Sequence, residues 1–267
     1  MSAADEYAFD TTRPEAGDQL AALEAFLDPV TITRLDAIGI KPGWSCWEVG
    51  AGGGSIARHL ARLVGPAGRV IATDRDTSRL TAAGNLVVDP RDVRDQPAPP
   101  GGPFPLAHAR LLLTHVRQRR EVLAKIVDAV RPGGWVVIGE FDAIAPPPVL
   151  SAPSEDDARL YTRVVETFLG VLTGHGADLA WARQLHAAMV EAGLTQVHTL
   201  VHAESWTGGD SGIRLHEVNI LQKQDELIAA GLNAADLSRF RTLIRDPGFA
   251  CLSYAFVCTV GRKAREP

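Results

Sequence analysis

With 267 residues, 46% of them hydrophobic and 22% charged, the chain has the composition of a globular protein with a full core, and its length favours one domain with insertions over two equal ones. A net charge of −5 and a pI near 5.9 argue against a nucleic-acid or anionic-membrane partner, because phosphate binding needs a basic face. Three cysteines give no disulfide framework, no opening stretch reads as a signal peptide and no apolar run reaches about 18 residues, so a cytoplasmic protein is expected.

Met1 to Asp18 is mixed and polar, with Tyr7 and Phe9 as its aromatics. Helices are predicted over Gln19–Leu27 and Pro29–Ile38, broken at the proline, and Ile40 to Gly43 turns into a first strand. That strand ends in Glu48, and the turn Gly50-Ala51-Gly52-Gly53-Gly54 leads into a helical period from Ser55 to Val64. Strand, glycine turn and helix in that order put bare backbone at a helix N-terminus. The spacing is not the dinucleotide fingerprint, since Ser55 stands where its third glycine belongs and Gly54 comes one residue early. A carboxylate at the strand end suits a ligand bearing a cationic amine and repels a pyrophosphate.

Arg69 to Thr73 is a second strand, ended by Asp74, about 25 residues after Glu48. An acid there can hold ribose hydroxyls or cap a helix over Arg75–Leu80, and the two roles are compatible. Asn85–Val88 is a third strand; Asp92 and Val93 follow, and then a loop rich in proline and glycine. Leu106–Arg110 is a fourth strand whose exit leads into a helix running to Val130, stopped by Arg131-Pro132-Gly133-Gly134 before an apolar fifth strand. After the rigid Pro146-Pro147-Pro148, helices are read over Asp156–Leu172 and Leu179–Ala192, and a strand over Gln196–Ala203. Helices over Ile213–Ala230 and Ala234–Ile244 precede a last strand, Cys251–Val260. In one continuous strand Cys251 and Cys258 would face opposite sides; both, like Cys46, read as buried small hydrophobes.

The string WEVGAGGGS around Glu48 resembles motif I of the class I S-adenosylmethionine (SAM) methyltransferases. HARLLLTHV and RPGGWVVIGEFD, with YAFD near the start, are similar to bacterial secondary-metabolite members of that family. The resemblance implies an α/β, Rossmann-like fold: a seven-stranded, mainly parallel sheet with helices on both faces and a helical cap over an acceptor pocket. It implies an N-terminal lid over residues 1–40, a SAM-binding core over 41–150 and the remaining sheet with cap helices over 151–267, all one methyltransferase domain. The implied cofactor contacts are Tyr7, Glu48, Gly50, Ala51, Gly52, Gly53, Gly54, Asp74, Arg75, Asp92, Val93, Ala109, Arg110 and His115. Asp92 would meet the adenine amino group and Arg110 the SAM carboxylate, unless Arg110 pairs with a nearby acid.

On the acceptor side, His115 stands where several methyltransferases hold a base, and Arg110 is its catalytic companion; a structural role for the histidine is the alternative. His216, Asn219, Gln222 and Lys223 share a helix face by their spacing, either a pocket wall or a solvated lid. Tyr7 and Trp206 could supply aromatic walls. The expected reaction is in-line methyl transfer to a small aromatic or heteroaromatic natural product on O, N or an indole carbon. The expectation includes no metal, no nucleic acid, no membrane and a possible homodimer. A SAM-binding cyclase of the same fold would keep every cofactor contact. A nicotinamide dehydrogenase is disfavoured by Ser55, by Glu48 and by the lack of a Tyr-x-x-x-Lys pair after the fourth strand.

Overall fold

The computed structural model describes Phe9 and residues 15–265, which fall into two compact units, each assembled from separate stretches of chain. One unit comprises Asp28–Glu140, Trp181–Val201 and the chain from Val257; the other comprises the chain up to Leu27, Phe141–Ala180 and His202–Phe256.

The first of these carries a seven-stranded sheet built from β1 (Ser45–Val49), β2 (Arg69–Asp74), β3 (Leu86–Pro90), β4 (Phe104–Arg110), β5 (Val130–Asp142), β7 (Leu194–His202) and β10 (Ala255–Lys263). Its order is β3-β2-β1-β4-β5-β10-β7, and the pairs β1–β2, β1–β4, β2–β3 and β4–β5 are parallel. The apolar runs that end β1 and fill β4 are buried, as expected of parallel strands covered on both faces. Helices α2 (Ser55–Val64), α3 (Arg119–Ala129) and α5 (Trp181–Glu191) belong to this unit. Trp47, Phe104, Ile126, Trp181, Leu185 and Met189 lie in its core. The chain leaves β1 for β2 on one side and returns as β4 on the other, so the carboxyl ends of β1 and β4 border the switch-point crevice.

The other unit contains a three-stranded sheet, β6 (Val149–Ser151), β9 (Ala250–Leu252) and β8 (Ser205–Thr207), with helices α4 (Glu155–Gly174), α6 (Arg214–Gln222), α7 (Gln224–Ala229) and α8 (Ala234–Leu243). These helices were expected as a cap; here they pack on one another. Tyr161 stacks on Phe240 at 5.9 Å, Arg163 pairs with Asp236 at 2.9 Å, and His175 meets Glu226 at 2.6 Å.

Several predicted boundaries move. The two N-terminal helices are one, α1 (Glu15–Ile38), with Pro29 inside. Pro29 lies on the exposed side while Ala22, Phe26, Thr31 and Leu35 are buried at helical spacing, so the carbonyl freed by the missing N–H faces solvent. No helix forms over Arg75–Leu80. The helix predicted from Ile213 breaks at Lys223, whose buried ammonium turns to Glu226 at 2.8 Å. The last strand is two. Ser253 leaves the ladder to exchange hydrogen bonds with Glu204, its N–H to the Glu204 carbonyl at 2.8 Å and its Oγ accepting from Glu204 N at 3.1 Å. Cys251 and Cys258 therefore sit in different sheets, and burial pushes both thiols up to about 11. Among the described residues no helix is long and apolar enough to cross a membrane.

Candidate functional site

The glycine turn closes the carboxyl end of β1. Gly50, Gly52 and Gly54 take φ of 69°, 53° and 78°, a region that costs other residues about 1–2 kcal/mol. Gly50 N and Ala51 N donate to the Thr73 carbonyl at 2.8 and 3.0 Å, and Gly54 N donates to Ala51 O at 2.8 Å. The turn is thus pinned to the end of β2. Helix α2 opens at Gly54 with no side-chain cap and no acid in its first turn, which leaves its N-terminal backbone as a positive end. A Cβ on Gly54 would come within 2.8 Å of Leu80, and one on Gly50 within 3.1 Å of Leu112, so side chains already fill the space that anything larger than glycine would need.

Asp74 ends β2 as predicted, half-buried, and faces the turn: Oδ2 accepts from Gly52 N at 2.8 Å and Oδ1 from Asp76 N at 3.0 Å. Burial raises its pKa, and the backbone donors from Gly52 and Asp76 oppose that rise. With residues 75–80 non-helical, Asp74 caps a local turn rather than a helix. Asp92 is engaged by Arg94, whose Nε and Nη2 lie 3.0 and 2.6 Å from Asp92 Oδ2; burial works against the charge, yet the guanidinium holds the carboxyl below its usual range. Val93, next to it, is buried.

Glu48 is not free to meet a ligand cation alone. It is buried opposite His108 in the β1–β4 register, and His108 Nδ1 lies 2.9 and 2.8 Å from its two oxygens. Arg110, at the end of β4 just after buried Ala109, pairs with Asp28 at 2.9 Å and donates to Thr31 Oγ1 at 3.2 Å. Ser55 Oγ donates to the same Asp28 oxygen at 3.0 Å, so Asp28 ties the start of α2 to the exit of β4.

Beyond Arg110 the chain turns sharply. Leu111 takes φ of 53°, and a 3-10 turn follows over Leu113–His115. His115 lies in that turn, partly buried, with its imidazole pushed down to about 4 by burial and by Arg119. It is therefore neutral near pH 7, able to accept a proton but only as a weak base. Glu140, on β5, is fully buried; Oε1 accepts from Leu113 N at 2.7 Å and Leu112 N at 3.2 Å. Burial pushes its carboxyl up to about 7 against a hydrogen bond from the Thr114 side chain and the backbone donors of 112–114. Sequence reading missed Asp28, His108 and Glu140.

The acceptor-side residues predicted from spacing lie in the other unit. Tyr7 falls outside the described residues. His216, Asn219, Gln222 and Lys223 are buried, so this helix face is not a solvated one. Asn219 and Gln222 are joined through Gln19: Gln222 Nε2 donates to Gln19 Oε1 at 3.0 Å, and Gln19 Nε2 donates to Asn219 Oδ1 at 2.6 Å. Trp206 and His216 belong to a ring of aromatics closed by Tyr254, Phe141 and Phe26, with successive centroids 4.9–6.3 Å apart. His216 faces Tyr161 Oη at 3.1 Å, and burial holds it down to about 3. This ring carries no charge: His216 is neutral, and burial raises the Tyr254 phenol above its ordinary value.

A family model described as a methyltransferase domain matches residues 22–199. The chain is 32% identical over 160 residues to an uncharacterized 37.1 kDa protein in transposon TN4556 of Streptomyces fradiae, covering 55% of this chain and 44% of that protein. It is 27% identical over 184 residues to the ubiquinone/menaquinone biosynthesis C-methyltransferase UbiE of Laribacter hongkongensis, covering 61% of this chain and 72% of that one. In fold it is similar to a Haemonchus contortus phosphoethanolamine N-methyltransferase 2 solved with S-adenosylhomocysteine, at 14% identity and a TM-score of 0.58, over 99% of this chain and 61% of that one.

Proposed function

Because the chain belongs to the methyltransferase-domain family, we propose that it binds SAM at the glycine turn and transfers its methyl group to a small aromatic or heteroaromatic acceptor. The observation that carries this reading is the turn itself: three glycines in the left-handed region and an uncapped start to α2, with the Asp74 carboxylate directed at the same loop. Those groups fit the cofactor's parts. Bare backbone admits close approach, a positive helix end suits a carboxylate, and an acid at the end of β2 suits vicinal hydroxyls. SAM supplies a methyl already activated on a sulfonium, and its leaving group is a neutral thioether.

The protein's share is then orientation and exclusion of water, and proximity alone can contribute about 7–11 kcal/mol. Asp28 fixes Arg110 and Ser55, and the β4 exit presents His115 as a neutral imidazole. The similarity to ubiquinone/menaquinone biosynthesis C-methyltransferases supports a small organic acceptor.

The test has two steps. In calorimetry, S-adenosylhomocysteine binds at micromolar level and NAD does not; equal binding of NAD overturns the cofactor assignment. Incubation with methyl-labelled SAM and a panel of phenols, aromatic amines and indoles then yields a labelled product. Label appearing only in peptide or nucleic-acid acceptors would overturn the small-molecule part.

A further inference from the structure

The sharpest strain near the candidate site lies at Leu111. It is one of two non-glycine residues with positive φ among those described, at 53°, in a region that disfavours a branched apolar side chain. Such a conformation persists only where its surroundings over-determine it. Leu111 N donates to the Gly139 carbonyl at 2.8 Å, and the next two amides, Leu112 N and Leu113 N, donate to Glu140 Oε1 at 3.2 and 2.7 Å. Two neighbouring residues of β5 therefore hold three successive amides of the β4 exit.

This hold has two ends. Leu112 Cδ1 lies 3.1 Å from the point a Cβ on Gly50 would occupy, so the held side chain rests on the first glycine of the turn. Leu112 O accepts from His115 N at 3.1 Å, which fixes the 3-10 turn that carries His115. Thr114, the residue after Leu113, also donates to the Glu140 carboxylate, so this one buried side chain gathers the donors of residues 112–114. What the amides of 112 and 113 need at this point is a buried oxygen acceptor, which an aliphatic side chain would not supply and without which those donors would be left unpaired.

We propose that Glu140 is a positioning residue for the cofactor site: its carboxylate sets Leu112 against Gly50 and thereby shapes the glycine turn, while aligning the turn that bears His115. This rests on the reading of the glycine turn as the SAM site. Glu140 need touch neither cofactor nor acceptor; it acts through the backbone of 112 and 113.

The experiment is S-adenosylhomocysteine binding by calorimetry at a temperature where circular dichroism shows each variant fully folded, with melting temperature recorded beside it. Glu140→Ala raises Kd about tenfold. Glu140→Gln, which keeps an oxygen acceptor, stays within about twofold of wild type. Leu112→Ala, a small change at a half-buried side chain, reproduces most of the rise, and the double variant Glu140→Ala with Leu112→Ala binds no worse than Glu140→Ala alone. These figures are order-of-magnitude expectations for losing a charge-assisted hold. If Glu140→Ala melts earlier but binds as wild type, the residue is structural and the proposal is overturned. Additive losses in the double variant would also overturn it, by separating Glu140 from Leu112. Should Glu140→Ala fail to fold, Glu140→Gln and Leu112→Ala decide: weakened binding in the first or wild-type binding in the second overturns the proposal. Absence of binding in the wild type would instead reject the cofactor site itself.

Discussion

At the scale of single residues, the glycine turn and its acid set the expected effects. Gly54→Ala puts a Cβ into the left-handed region and against Leu80, so it costs about 1–2 kcal/mol of stability in urea unfolding and weakens S-adenosylhomocysteine binding further. A stable variant with wild-type affinity would show that the turn has room to spare. Asp74→Ala weakens binding by about 1.5–3 kcal/mol, the range for hydrogen bonds to a charged group. An unchanged affinity would leave the carboxylate with only its backbone role toward Gly52 and Asp76. His115→Ala separates two roles for the imidazole. As an acceptor-side base it lowers turnover while cofactor affinity stays near wild type; as a structural group it lowers melting temperature and affinity together.

At the scale of elements, the amide chain from Gln222 through Gln19 to Asn219 joins the first turns of α1 to α6 inside one unit. Gln19→Ala strands two buried polar groups, each costing about 1–3 kcal/mol, and the urea midpoint should fall accordingly. A midpoint unchanged within error would mean that water replaces the missing amide. The order of elements was legible in the sequence because hydrophobic period and glycine or proline punctuation act locally. Even so, Pro29 misled: its cost depends on which side of the helix faces solvent, which no local pattern states. Glu48 was legible as an acid at a strand end, but His108 was not legible as its partner. The two are 60 residues apart and meet only through the β1–β4 register. Asp28 was hidden for the same reason, being a helix residue whose meaning comes from Ser55 and Arg110. The shared face of His216, Asn219 and Gln222 was readable from spacing; that it is buried, and against what, was not.

At the scale of the whole molecule, three groups whose charged form burial disfavours give stability a definite slope with pH. His115 and His216 have folded pKa values lowered to about 4 and about 3, so stability is lost as pH falls below about 6.5, where the unfolded chain takes up two protons that the folded one refuses. Glu140 is raised to about 7, so its contribution is complete below the unfolded value near 4.5 and is lost as pH rises toward 7. Between about pH 4.5 and 6.5 the histidines outweigh it. The Glu140→Gln variant, lacking the opposing group, should show a steeper rise of melting temperature over that interval; an identical slope would mean that Glu140 ionises normally. Among the described residues no group of three or more His, Cys, Asp or Glu side chains could hold a metal ion. The expectation of a metal-free reaction is tested by EDTA: turnover should survive it, and loss restored by magnesium would reveal a metal dependence. The place of β10 has a further consequence, in the order of events during synthesis. It is the last strand in sequence, yet it lies between β5 and β7 in the sheet. While the ribosome still holds residues 255–263, β5 and β7 both lack the strand that lies between them, and their edges stand unpaired, a state prone to proteolysis and to pairing with other chains. Nascent chains arrested before Ala255 has emerged should therefore stay sensitive to protease throughout the sheet, and protection should arrive in one step once β10 clears the exit tunnel.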